Sequence, residues 1–374
     1  MGCDSGDVAK FIPLPLGLSP ARRPGGNYTG FDRVGSQHHR YHRRMSFFAV
    51  LFALLAEQLK PLSNLNPIHH ALAAWVRWAG RNFDAGADVH ARVVWAITVL
   101  APASLVALSY FFIDRYSTVL SLIFDVAVLY FTLGFRQFSH HFTDIRDALE
   151  AGREDRAREL LAHWQNLDAS ELPRTEILRH VLEYSLLAAH RHVFGVFFWF
   201  VALSTVGLGP AGAVLYRLAE FASRYWAYRS RVTGTPTHDR LMNLSQTLFT
   251  WLDHVPARMT AFGFAVVGNF EDAIDAWRRH AALWVRRNEG AILSSASGAL
   301  GVRLGGQVAP VSGSPDVSRT MSQGDSPDVI EAQGSTQGSP PMLAHLRSVV
   351  GLIWRSVVLW MLLLALLSLA NLVG

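Results

Sequence analysis

VVWAITVLAPASLVALSYFFIDRYSTVLSLIFDVAVLYFTLGF, residues Val93 to Phe135, decides the class of fold. Two apolar runs, Val93 to Ile113 and Ser117 to Phe135, are separated only by Asp114-Arg115-Tyr116. The first holds no charged side chain and the second holds only Asp125. A helix of about 20 apolar residues covers the hydrocarbon core of a bilayer, so the pair predicts a transmembrane helical hairpin. A carboxyl at that depth is expensive to keep, which makes Asp125 a functional candidate; a helix-packing role is the alternative.

Further apolar runs extend from Val193 to Tyr216 and from Trp354 to Val373. A soluble helical core rarely contains several uncharged spans of this length. Phe47 to Leu59 is shorter, about 20 Å as helix, with no small-x-small cleavage site after it, and predicts an interfacial or half-spanning helix. Trp75, Trp78 and Trp95 flank the first full span as an aromatic belt would. The expected fold is an all-α, polytopic integral membrane protein with four or five membrane helices, multi-pass in the cell inner membrane.

Half of the residues are hydrophobic (50%), 17% are charged, and the net charge is +5, carried almost entirely by arginine. No helix-turn-helix, zinc-finger or RNA-binding signature accompanies that charge, so the expected partner is the lipid bilayer and not nucleic acid. The single cysteine, Cys3, excludes an intrachain disulfide and a cysteine-based metal site.

Residues 1–44, with four prolines, a Gly25-Gly26 pair and the run His38 to Arg44, lack apolar periodicity and predict a disordered basic leader. Met45-Ser46-Phe47-Phe48 has the look of a natural start, so part of the leader is expected to be a start-site extension. Residues 45–306 form the expected membrane domain, 307–342 a Ser/Gly/Pro-rich flexible linker, and 343–374 a C-terminal anchor helix. Between Arg136 and His192, Phe142, Ile145 and Leu149, then Ala157, Leu160, Leu161 and Trp164, sit at helical spacing on either side of Gly152. They predict a cytoplasmic helical hairpin.

Gly207-Leu208-Gly209-Pro210-Ala211-Gly212 interrupts the third run. It either breaks a helix within the membrane or turns the chain outside it. An odd crossing would export the thirteen arginines from Arg217 to Arg347, which favours a re-entrant hairpin that keeps them cytoplasmic. His140-His141 and His190-Arg191-His192 lie near Asp144 and Glu183, but adjacent side chains on a helix point about 100° apart. No metal site is expected from them.

Three motifs carry a resemblance: Gly209-Pro210-Ala211-Gly212-Ala213-Val214-Leu215-Tyr216-Arg217, Asp253-His254-Val255-Pro256-Ala257-Arg258-Met259-Thr260, and Asn288-Glu289-Gly290 through Ser297-Gly298-Ala299-Leu300-Gly301-Val302-Arg303-Leu304-Gly305-Gly306. They resemble the CobD/CbiB cobalamin-biosynthesis family of membrane-bound adenosylcobinamide-phosphate synthases. The resemblance implies ATP-dependent amide formation between a corrinoid carboxyl and an aminopropanol moiety, with ATP and Mg2+ as cofactors and a corrinoid or other small ligand as partner. It implies catalytic roles for Glu183 and Asp253, and substrate or phosphate contacts for Gly209, Gly212, Arg217, Arg258, Asn288 and Arg303. A structural or headgroup role stands beside the functional one for each arginine.

The chain also departs from that pattern. Where the family has a Glu-Ser-Leu-Ala-Glu-Asn run followed by an aspartate, Glu183 remains, and Leu187, Ala188 and Arg191 occupy the polar positions. Phe249-Thr250 stands in place of an Asp-Asp pair, and an arginine-aspartate step is missing near Trp164-Gln165-Asn166. Such losses are similar to those of AmpE, a non-enzymatic inner-membrane relative with a regulatory or sensor role. The sequence therefore leaves two expectations, an amide-forming enzyme and an AmpE-like regulator.

Overall fold

The computed structural model describes residues 47–59, 67–83, 88–133, 135–165, 168–233, 236–306 and 334–373. The expected leader and residues 307–333 of the expected linker lie outside the described residues. Helix dominates what is described, with two isolated β-bridges, Val302 with Ser339 and Gly305 with Ser335.

Helices α1 (Phe47–Leu59) and α2 (Pro67–Phe83) lead into α3 (Asp88–Trp95), a π-helical turn (Ala96–Leu100) and α4 (Ala101–Tyr116). Pro102 sits in the first turn of α4. Its ring would press on the carbonyl four residues back in a regular helix; the wider π turn relieves that contact. Thr98 there donates its hydroxyl to the Val94 carbonyl at 2.7 Å. Helix α5 (Thr118–Thr132) has 15 residues, about 22 Å, and is shorter than the full second span expected from Ser117 to Phe135. It ends because the Thr132 hydroxyl donates to the Val128 and Leu129 carbonyls and Leu133 leaves in an extended conformation.

The polar hairpin comprises α6 (Phe135–Glu150) and α7 (Glu154–Gln165). Gly152, at φ 71°, makes a left-handed turn that few other residues adopt cheaply. His141 stacks on Trp164 (ring centroids 5.6 Å apart), which meets Tyr184 edge-on at 4.4 Å, so the hairpin is docked on the next helix. Arg174 ties down the turn by donating to the Leu149 carbonyl at 3.1 Å.

The third apolar segment differs from expectation in its bounds. Helix α8 (Arg174–Ala189) continues through a π turn (His190–Phe194) into α9 (Gly195–Ser204), and this stretch of 31 residues, not Val193 to Tyr216, is the long apolar helix. Hydropathy does not mark these bounds because four polar residues are buried within the helix: Arg179 and Glu183 pair with each other, and His190 and Arg191 are met by α11 and α13. The chain then turns at Gly207 (φ 81°) and Gly209 (φ 54°), and α10 (Ala211–Thr233) returns antiparallel to α9. A Cβ on Gly212 would stand 1.9 Å from the Trp199 carbonyl oxygen, and one on Gly195 would stand 2.2 Å from the Tyr216 ring. Both glycines are needed for the two helices to approach this closely.

Helices α11 (Pro236–Val267), α12 (Phe270–His280), α13 (Arg287–Leu300) and α14 (Leu343–Val373) complete the bundle. One hydrophobic core gathers Phe194, Phe197, Phe200, Phe264, Ile292 and Leu352 from α8–α9, α11, α13 and α14. A second centres on Trp226 of α10 against α2 and α3. Full burial of each such side chain contributes about 1.5–3 kcal/mol. Residues 334–341, inside the expected linker, are built into the fold: Thr336 is buried and its backbone N–H donates to the Leu304 carbonyl at 2.8 Å. Among the described residues, three helical stretches, Val89–Tyr116, Arg174–Ser204 and Leu343–Ala370, are long and apolar enough to cross a membrane, and α1 and α5 are shorter apolar helices.

Candidate functional site

Four helices converge on a buried polar network. The π turn at His190–Phe194 directs His190 toward α11, where its Nε2 lies 2.7 Å from Asp253 Oδ1 and its Nδ1 lies 2.8 Å from Thr260 Oγ1. Tyr216 of α10 donates its hydroxyl to the same Asp253 oxygen at 2.8 Å. From α13, Asn288 donates through Nδ2 to the Thr250 carbonyl (2.9 Å) and to Asp253 Oδ2 (3.3 Å). Asn288 Oδ1 accepts from Arg258 Nη1 at 3.1 Å, and the same nitrogen donates to the His254 carbonyl at 2.8 Å. The chain of contacts runs from buried Thr260 to half-buried Arg258 at the edge.

A second cluster adjoins the first through the sequence neighbours Asn288 and Glu289. Arg191 Nη2 and Arg286 Nη1 donate to Glu289 Oε1 at 2.7 and 3.0 Å. Glu289 lies in the first turn of α13, where a negative charge suits the helix dipole. A third cluster surrounds Glu183, wholly buried on α8. Arg179 Nη1 donates to both of its oxygens at 3.1 and 3.2 Å, and the Gly305 N–H donates to Oε1 at 2.6 Å.

Of the residues expected from the sequence, Asp253, Asn288 and Arg258 are brought into one network. Glu183 belongs to the cluster with Arg179 and Gly305. Arg217 pairs with Glu220 of its own helix at 2.8 Å. Gly209 packs under the Tyr110 ring and Gly212 under the Trp199 backbone, so both serve the hairpin turn. The Arg303 side chain is exposed. His190, Tyr216, Thr260, Arg179 and the Arg191–Glu289 pair complete the clusters, although the sequence did not single them out as site residues.

The glycine-rich motif was expected to cradle phosphate, and its backbone N–H groups are already engaged within the fold. Gly301 donates to Gly298, Val302 to Ser297, Arg303 to Ser339 and Gly306 to Gly334, all at carbonyl oxygens, while Leu304 donates to Thr336 Oγ1 and Gly305 to Glu183. A nest of free N–H groups, which anion binding requires, is not formed by these six residues. A Mg2+ ion needs oxygen ligands with little competing charge nearby. Glu183, Asp253 and Glu289 each accept from an arginine, a histidine, a tyrosine or a backbone N–H, and among the described residues no three His, Cys, Asp or Glu side chains converge. These residues do not fit a resident divalent cation.

Residues 47–333 match the CobD/Cbib protein family. The chain belongs to the CobD/CbiB family. It is 28% identical over 328 residues to the cobalamin biosynthesis protein CobD of Stutzerimonas stutzeri (strain A1501), an alignment covering 85% of this chain and 96% of that protein. It is 32% identical over 190 residues to the protein of the same name from Chromobacterium violaceum, covering 50% of this chain and 57% of that protein. No solved structure matches the chain. Family membership and the three long apolar helices together mark this CobD/CbiB member as a membrane protein.

Proposed function

We propose that this protein acts in cobalamin biosynthesis in the inner membrane, at the step that joins an aminopropanol moiety to a corrinoid carboxyl as an amide. The observation that carries the reading is the family match across 47–333, within which Asp253, Asn288 and Arg258 form one network. ATP supplies the driving force in such a reaction, and any Mg2+ arrives with the nucleotide, since the carboxylates here are already engaged.

Within this reading, Arg258 is the anion-binding group. Its Nη1 is fixed by Asn288 and the His254 carbonyl, which leaves the rest of the guanidinium fork to meet a carboxylate or phosphate. Asp253 is a positioning residue that holds Asn288 and is itself held by His190 and Tyr216. Arg303, exposed beside the glycine motif, is a second contact for an anionic group. Asp253 and Glu183 accept several hydrogen bonds each from the fold itself, so their oxygens are engaged before any substrate arrives.

That same saturation favours a second reading, an AmpE-like regulator that binds a corrinoid without amidating it. Expression in cells lacking their own synthase, scored by growth that depends on cobinamide synthesis, separates the two when combined with binding of a corrinoid acid to the purified protein. Rescue that Arg258→Ala or Arg303→Ala abolishes supports the enzyme. Binding without rescue supports the regulator, and neither binding nor rescue overturns both.

A further inference from the structure

Helix α11 exposes polar residues in its first half and a nearly unbroken apolar face in its second. Between Trp251 and Val267 the exposed residues are Trp251, His254, Val255, Met259, Phe262 and Val266, and only His254 is polar. Trp251 is 76% exposed and Phe262 51%. The spacing of Trp251, Val255, Met259, Phe262 and Val266 puts them in one stripe along the helix. Asp253 and Thr260 point into the bundle, and Arg258 is tied to Asn288. A helix on a soluble surface turns polar residues outward, and an exposed apolar stripe of this length marks an interaction surface.

The stripe is continuous with a membrane helix. Gly263 lies against Trp360 of α14, where a Cβ would stand 3.4 Å from the indole nitrogen, and Ala257 and Ala261 are buried beside it. Helix α14 itself exposes Val358, Leu362, Leu363, Leu366 and Leu367. Charged residues resume after the stripe at Glu271 and Asp275, beyond the Gly268-Asn269 break.

We infer that α11 from Trp251 to Val267 is embedded in the bilayer, with the Trp251–Val266 stripe packed against lipid acyl chains. Average hydropathy hides this segment because Asp253, His254 and Arg258 lower it, although two of the three face protein. The segment is about 25 Å long at 1.5 Å per residue, comparable with the hydrocarbon core. The Asp253 network then lies at membrane depth, where polar side chains are held because neighbouring helices satisfy them. This arrangement extends beyond the proposed reaction and holds for enzyme and regulator alike.

The test uses the full chain with Cys3→Ser, which removes its one cysteine. Single cysteines replace Val255, Met259, Phe262 or Val266, with Leu363→Cys on α14 as lipid control and Arg279→Cys on α12 as water control. Each variant carries a nitroxide label and is reconstituted in phosphatidylcholine–phosphatidylglycerol vesicles. Collision with oxygen is expected to exceed collision with a water-soluble nickel chelate several-fold at all four sites, as at Leu363→Cys. Nickel accessibility like that of Arg279→Cys would mean a solvent-facing stripe, and protection from both reagents with spin–spin broadening would mean a second copy of the chain. Either result overturns the inference. Because the labels occupy exposed positions, correct folding is checked independently by an unchanged thermal transition.

Discussion

His190 Nε2 lies 2.7 Å from Asp253 Oδ1 across 63 residues of chain, and both side chains are buried. The pair joins the long apolar helix α8–α9 to α11 at the centre of the bundle. Asp253→Ala would remove the acceptor that His190 Nε2 and the Tyr216 hydroxyl share, and would leave the Asn288 amide with the Thr250 carbonyl alone. Each buried group left unsatisfied costs about 1–3 kcal/mol. Thermal unfolding in detergent is expected to fall by several degrees or more in Asp253→Ala. Asp253→Asn, which keeps the shape and one acceptor oxygen, should lose clearly less, and equal losses would argue against a satisfied network.

Gly212 and Gly207 lie in one motif and should respond differently. A Cβ at Gly212 collides with the Trp199 carbonyl at 1.9 Å, whereas one at Gly207 meets nothing within 4 Å. Gly207→Ala therefore incurs only the strain of φ 81°, about 1–2 kcal/mol. Gly212→Ala forces α9 and α10 apart and should abolish stable expression in the membrane. Similar yields of the two variants would contradict a packing role for Gly212.

The apolar segments were legible in the sequence because lipid demands a compositional signal, and the hairpin about Gly152 was legible from helical spacing. The network was less so. His190-Arg191-His192 reads as three adjacent polar residues, and which of them meets Asp253 depends on a π turn that shifts the helical register. Arg191 finds Glu289 98 residues later, a separation that spacing within the sequence does not reveal. One signal was available: charged and histidine residues inside an apolar helix need partners from other helices. The glycine motif meets the same limit, since composition shows where backbone can be approached closely but not that Ser339, Thr336 and Glu183 accept from its N–H groups.

His141, half-buried against Trp164, gives the hairpin a pH dependence. Burial holds its pKa below the ordinary 6.5, and nearby His163 acts in the same direction against Asp144. The unfolded chain then binds the proton more readily than the folded one, so stability rises with pH. The contribution is complete above about 6.5 and is lost as pH falls toward the lower folded-state value. Hydrogen exchange of α6 and α7 should accelerate between pH 7.5 and 5.5, relative to intrinsic exchange, and His141→Gln should flatten that trend. An unchanged trend in His141→Gln would assign it to other groups.

Arg191 and Glu289 form a buried pair at 2.7 Å with side chains 6% and 12% exposed. Removing one partner of such a pair typically costs about 3–5 kcal/mol, because the remaining charge is left uncompensated. Arg191→Met should show that loss and no response to divalent cations. Arg191→Asp goes further: it sets a second carboxylate beside Glu289, with Arg286 remaining at 3.0 Å. Two neighbouring carboxylates repel, and a hard divalent cation relieves that repulsion by taking oxygens from both. Thermal unfolding of Arg191→Asp is therefore expected to rise on addition of millimolar Mg2+ or Mn2+, while the wild-type protein, whose guanidinium already neutralises Glu289, should not respond. A wild-type response equal to that of the variant would show that a cation reaches these carboxylates despite the arginine, and the conclusion that the site does not fit a resident ion would fall with it.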